Sequence, residues 1–121
     1  MKKVILVADD SPTIRKFVSV ALSVKGYEII SCADGMEAIE ILPSHKVDLV
    51  ITDLNMPNVD GFELITSIRN NTAYKELPII VLSSLGATED IQKGLECGAN
   101  SYLVKPFDPK RVAYEVSKYL N

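Results

Sequence analysis

No stretch of this chain limits its fold more than Leu49-Val50-Ile51-Thr52-Asp53-Leu54-Asn55-Met56-Pro57. An apolar run of strand length ends on a single carboxylate, Asp53, and Pro57, which has no N–H to donate, stops regular pairing. A strand that is apolar on both alternating faces has to be covered on both sides, the habit of parallel sheets packed between helices. Ligands of such sheets gather beyond the carboxyl ends of the strands, which makes Asp53 the candidate reactive group.

The rest of the chain follows the same pattern. Lys3-Val4-Ile5-Leu6-Val7-Ala8 reads as a buried strand that stops at Asp9-Asp10-Ser11-Pro12. Ser11 as N-cap and Pro12 at the first helical position open a helix with Ile14, Phe17, Val18, Ala21 and Leu22 on one face, ended by Gly26. Tyr27–Cys32 reads as a second strand, and Asp34-Gly-Met-Glu37 as a capping box for a helix carrying Ala38, Ile39, Ile41 and Leu42. The strand ending at Asp53 is third, and Asp60-Gly-Phe-Glu63 opens a helix with Leu64, Ile65 and Ile68, closed by Asn70-Asn71. Leu77–Leu82 is a fourth strand, tipped by Ser83 and Ser84. Thr88 is expected to cap a fourth helix whose apolar stripe is little more than Ile91 and Leu95, and Gly98 stops it. Ser101–Val104 is a short fifth strand, ended by Lys105-Pro106. Asp108-Pro109 starts a last helix with Val112, Ala113, Val116, Tyr119 and Leu120 on one face.

Five strands alternating with five helices predict a three-layer α/β fold with a parallel sheet. With 121 residues, 47% hydrophobic and 24% charged, the chain is expected to be one domain over residues 1–121. A net charge of −3 gives no basis for direct nucleic-acid binding. No apolar run approaches the roughly 18 residues of a membrane span, and the stretch after the initial Met-Lys-Lys is too short for a signal peptide, so a cytoplasmic protein without a membrane partner is expected. Cys32 and Cys97 lack metal-site spacing and read as buried small hydrophobes, and His45, in a polar connection, reads as a solvated loop residue.

In the flavodoxin-like order 2-1-3-4-5 the first and third strands are neighbours, and Asp9, Asp10 and Asp53 meet at their tips. Ser83 and Lys105 close the same edge. Three adjacent carboxylates repel one another unless a cation intervenes, and hard oxygen ligands with room for water and a phosphoryl group suit Mg²⁺, with Mn²⁺ as a substitute. A carboxylate is a competent covalent acceptor of phosphoryl groups; the metal and Lys105 would neutralise the charge that gathers in transfer, and Ser83 would donate to a phosphoryl oxygen.

Taken together, Asp9-Asp10, Asp53 with Asn55-Met56-Pro57 and Asp60-Gly61, Ser83, and Lys105-Pro106-Phe107 resemble the receiver domain of two-component response regulators, in particular the single-domain chemotaxis type, over essentially the whole chain. The resemblance implies that Asp53 is the phosphoacceptor, charged by a phosphohistidine of a sensor histidine kinase or phosphotransfer protein. It implies Mg²⁺ held directly by Asp10, Asp53 and the Asn55 carbonyl, with Asp9 acting through water. It also implies a phosphoryl contact from Lys105, a cis Lys105-Pro106 bond, Ser83 as switch hydroxyl, with Ser84 second, and Tyr102 as the aromatic that turns inward. Serine at 83 departs from the commoner threonine but keeps the donor.

The signal is then expected to leave through a downstream protein target on the Thr88–Phe107 face, with the thinly packed fourth helix shifting between two arrangements. Asn55 and Leu85 are placed to flank the water that ends the phosphorylated state. An aspartate-nucleophile phosphatase would carry a second Asp where Asn55 stands, and a flavin-binding relative would not place Asp9-Asp10 in its phosphate loop. The chain stops at its fifth helix, which favours a stand-alone signalling protein over the receiver of a longer transcriptional regulator.

Overall fold

The computed structural model describes residues 2–120. The expected domain over residues 1–121 exceeds this by Met1 and Asn121, which lie outside the described residues. The elements are β1 (Val4–Ala8), α1 (Pro12–Ser23), β2 (Glu28–Cys32), α2 (Gly35–Ile41), β3 (Leu49–Thr52), α3 (Gly61–Asn70), β4 (Ile79–Ser83), α4 (Thr88–Cys97), β5 (Ser101–Val104) and α5 (Pro109–Ser117). All neighbouring strands are parallel and the order is β2-β1-β3-β4-β5, as expected from the sequence.

Strand alternation divides the core in two. Ile5, Val7, Leu49, Ile51, Ile80 and Leu82 face α1 and α5, while Leu6, Ala8, Val50, Ile79 and Val81 face α2 and α3, with α4 beside α3. On α1, Val18 and Leu22 are fully buried, each contributing roughly 1.5–3 kcal/mol by leaving water. Cys32 belongs to the second of these clusters, where burial pushes its thiol up to about 12 and keeps it neutral. Cys97, expected to be buried, is only half-buried at the end of α4. His45 is exposed, as its loop position implies.

Four helices start as their sequences dictate. Ser11 Oγ accepts from Ile14 N–H at 3.3 Å, Asp34 Oδ1 from Glu37 N–H at 2.9 Å and Asp108 Oδ1 from Arg111 N–H at 2.8 Å. Asp60 and Glu63 form a reciprocal capping box. The fourth helix differs from expectation: its N-cap is Ala87, which offers no side-chain acceptor, and Thr88 is already helical. Its buried residue is Gly94, whereas Leu95, expected on the apolar stripe, is 43% exposed. The helix presents its glycine to the sheet because the ring of Tyr102 occupies the space there, and this turns Leu95 out to solvent. The fourth strand starts at Ile79 rather than Leu77, because Pro78 has no N–H for the ladder. Short 3₁₀ turns at Leu42–Ser44 and Thr72–Tyr74 also escaped the sequence reading. Among the described residues no helix is long and apolar enough to cross a membrane.

Candidate functional site

The site forms at the carboxyl edge because pairing continues one residue past the strands. Asp9 N–H donates to the Cys32 carbonyl at 3.1 Å, and Asp53 N–H donates to the Ala8 carbonyl at 2.9 Å. Asp9 and Asp53 therefore leave adjacent strands at the same level, and both are buried. With exposed Asp10 they form a cluster in which one carboxylate oxygen of each lies within 4.8 Å of the others.

Lys105, immediately after β5, reaches across to this pair. Its Nζ stands 3.1 Å from Asp9 Oδ2 and 3.4 Å from Asp53 Oδ2, one ammonium shared by two acids. The Lys105–Pro106 bond is cis, as the resemblance implied. Burial raises the Asp9 carboxyl above its ordinary range; the Ser11 N–H bonded to it pulls the other way, the charge of Asp53 adds to the rise, and Lys105 offsets part of it. The site thus holds more negative charge than its own cation neutralises. Oxygen donors clustered this tightly, with Asp10 open to solvent, fit a small hard divalent cation.

The loop after β3 is tied down tightly. Asp53 Oδ1 accepts from Leu54 N–H at 2.7 Å, Thr52 Oγ1 donates to the Asp53 carbonyl at 2.7 Å, and Gly61 N–H donates to the Leu54 carbonyl at 2.9 Å. A side chain at Gly61 would overlap the Asp53 carbonyl oxygen, so the first residue of α3 has to be glycine for the helix to sit against the site. Asn55 is exposed two residues beyond Asp53.

The remaining expected residues lie nearby without touching the carboxylates. Ser83 is fully buried at the tip of β4, and its Oγ accepts from Leu85 N–H at 3.1 Å. No hydrogen bond joins Ser83 to Asp53 among the described residues. Tyr102 is half-buried, its hydroxyl donates to the Leu85 carbonyl, and burial raises its phenol above the usual range. Ser84 is exposed. Phe107, at the end of the expected Thr88–Phe107 face, packs edge-on against Phe17 at 5.8 Å and stands between two hollows. One, of about 410 Å³, is lined by Ile14, Phe17, Ser84, Lys105, Pro106 and Phe107. The other, of about 720 Å³, runs along Tyr102, Val104, Asp108 and Arg111.

Two contributors, Gly94 and Arg15, were missed from sequence, and Leu85, expected to flank the attacking water, has a backbone role that was not foreseen. Leu85 links Ser83 to Tyr102 through its backbone N–H and carbonyl, Gly94 leaves room for the Tyr102 ring, and Arg15 donates from Nη1 to the Asp9 carbonyl at 2.6 Å. The one available signal was a basic residue in the first turn of a helix that follows an acidic pair.

Comparison with known proteins gives this geometry a family. The family model for the response regulator receiver domain matches residues 5–117. Chemotaxis protein CheY1 of Helicobacter pylori is 38% identical over 108 residues, covering 88% of this chain and 87% of its own length. "Probable transcriptional regulator ycf27" of Cyanophora paradoxa is 40% identical over 119 residues, 98% of this chain but 48% of its own. The chain therefore spans about half the length of the curated ycf27 relatives it matches. Chemotaxis protein CheY4 of Vibrio cholerae superposes with a TM-score of 0.92 at 36% identity, covering 98% of this chain and 99% of that one. The receiver domain of sensor histidine kinase PA1611 of Pseudomonas aeruginosa, whose structure has a magnesium ion coordinated in the active-site cleft, superposes with a TM-score of 0.91 at 26% identity over 99% of this chain and 98% of its own. With the strand order, the acidic edge and these likenesses in agreement, the chain belongs to the receiver domains of response regulators.

Proposed function

We propose that this chain, as one receiver unit, accepts a phosphoryl group on Asp53 and converts that local charge into a change of protein-binding surface. The observation that carries the reading is the meeting of Asp9, Asp10 and Asp53 within 4.8 Å, with Lys105 shared between Asp9 and Asp53. A phosphohistidine of a sensor histidine kinase or phosphotransfer protein is the donor. An Asp53 carboxylate oxygen bonds to phosphorus as the P–N bond breaks, and the electron pair leaves on the imidazole nitrogen.

Asp10, Asp53 and the Asn55 carbonyl would hold Mg²⁺, or Mn²⁺ in its place, and Asp9 would act through water; a hard divalent cation there supplies charge neutralisation for the phosphoryl oxygens. The magnesium in the related PA1611 cleft supports this choice. Lys105 exchanges its contact with the Asp53 carboxylate for one with the phosphoryl group. Ser83 gives up Leu85 N–H and donates to a phosphoryl oxygen. That movement releases the Leu85 carbonyl's hold on Tyr102 and lets Tyr102 and α4 rearrange, so the Thr88–Phe107 face meets a downstream protein target. The chain acts as a switch that catalyses only its own phosphorylation and dephosphorylation, in the cytoplasm, without contacting nucleic acid itself. A second reading, the receiver of a longer transcriptional regulator, draws on the ycf27 relatives, whose chains run to about twice this length.

The test is phosphoryl incorporation from a small acyl phosphate with Mg²⁺. Wild type is expected to take up one phosphoryl group and Asp53→Asn none; undiminished labelling of the variant places the acceptor elsewhere.

A further inference from the structure

Asp10 is the exposed acid of the cluster, and its carboxylate has no hydrogen-bond or ion-pair partner among the described residues. Where its side chain departs is therefore left to the backbone on which it stands. The peptide unit entering Asp10 carries the Asp9 carbonyl, and a peptide unit is planar, so whatever fixes that carbonyl fixes the N–Cα bond of Asp10; with the next peptide held by Ser11 N–H on Asp9 Oδ1 at 2.9 Å, the vector from which the Asp10 side chain departs is fixed at both ends. The group that fixes the carbonyl is Arg15. From the first turn of α1 its Nη1 donates to the Asp9 carbonyl at 2.6 Å, a short charge-assisted bond across six residues. The rest of the turn is pinned from other sides: Asp9 N–H to the Cys32 carbonyl at 3.1 Å, Asp9 Oδ1 to Ser11 N–H at 2.9 Å, and Asp9 Oδ2 to Lys105 at 3.1 Å. Arg15 is half-buried, its own N–H donates to the Ser11 carbonyl at 3.0 Å, and its guanidinium bonds a neutral carbonyl rather than any of the three carboxylates.

We infer that Arg15 is a positioning residue for metal binding: it aims Asp10 at the cation by holding the Asp9–Asp10 peptide. The inference rests on the magnesium reading above. Its test turns on a sign. A positive charge beside an acidic site repels a divalent cation, so electrostatics alone makes Mg²⁺ bind more tightly once Arg15 is removed. Loss of positioning makes it bind more weakly, by roughly tenfold to a hundredfold if Arg15 acts as outer-shell partners of metal ligands do.

The experiment is a calorimetric Mg²⁺ titration of the unphosphorylated protein for wild type, Arg15→Ala and Arg15→Lys, with a metal-free thermal melt of each. The expected result is at least about a tenfold weaker Mg²⁺ affinity for Arg15→Ala, with recovery of part of the loss by Arg15→Lys, which keeps a cationic donor on a side chain one bond shorter. Unchanged or tighter binding by Arg15→Ala overturns the inference while leaving the magnesium site intact. Equal weakening in both variants, tracking a fall in their metal-free melting temperatures, overturns it in favour of a purely structural role. Absence of Mg²⁺ binding in wild type overturns the site reading itself.

Discussion

Asp9 bears the electrostatic strain of the site. It is buried beside Asp53, and a single ammonium serves both. Replacing it with asparagine keeps an acceptor for Ser11 N–H and removes one buried charge, so Asp9→Asn is expected to stabilise the metal-free protein by about 1 kcal/mol, roughly 4 °C in melting temperature. The same variant should gain less than wild type from millimolar Mg²⁺, because it has lost part of the attraction that offsets the repulsion. Thermal melts with and without the metal check both halves; a variant less stable than wild type without metal would show that the Lys105 pairing outweighs the repulsion. At this scale the sequence was informative where function lies in side-chain chemistry. Asp9, Asp10, Asp53 and Lys105 each end a strand with a polar group, and a parallel sheet has to bring strand ends together. Leu85 acts through its backbone and Arg15 through a carbonyl six residues back, so neither role is written in the identity of the side chain.

Among the elements, α4 is held least. It has no side-chain N-cap, buries a glycine where the other long helices bury branched residues, and leaves Leu95 in solvent. Gly94 makes this possible: a β-carbon there would stand 3.2 Å from the Tyr102 ring, closer than the ring tolerates without moving. Gly94→Ala adds about 1 kcal/mol of helix propensity and crowds the ring. The expected outcome is a displaced Tyr102 with its bond to the Leu85 carbonyl broken and little net gain in stability. Fluorotyrosine NMR reports the ring environment and a thermal melt the balance; an unmoved ring with the full gain of about 1 kcal/mol would show that the helix accommodates the methyl freely. Sequence patterns located four helix starts through caps that bond locally, as with Asp60 and Glu63. They misplaced the start of α4 and its buried side because no local cap exists there, and Tyr102, eight residues after Gly94, determines which side faces in.

For the whole molecule, a sheet buried on both faces provides a rigid floor from which one edge can carry chemistry while the helices at that edge remain free to answer. The two core clusters lie on opposite faces of the sheet, and the acids, the lysine and the serine all lie at its carboxyl edge. The fold was legible because buried parallel strands leave long apolar runs and because the order follows from a chain that alternates strand and helix. The route by which Ser83 reaches Tyr102, through the Leu85 backbone, was not, because it depends on how the loop after β4 folds back over β5.

The central claim is that this edge gathers its acids around magnesium so that Asp53 can carry phosphate. A crystal structure grown with Mg²⁺ and beryllofluoride tests it most directly. The account predicts beryllium bonded to an Asp53 carboxylate oxygen, Mg²⁺ ligated by Asp10, Asp53 and the Asn55 carbonyl, and Lys105 and Ser83 on the fluorines. An Asp53 left bare, or a metal bound away from Asp10 and Asp53, would contradict it.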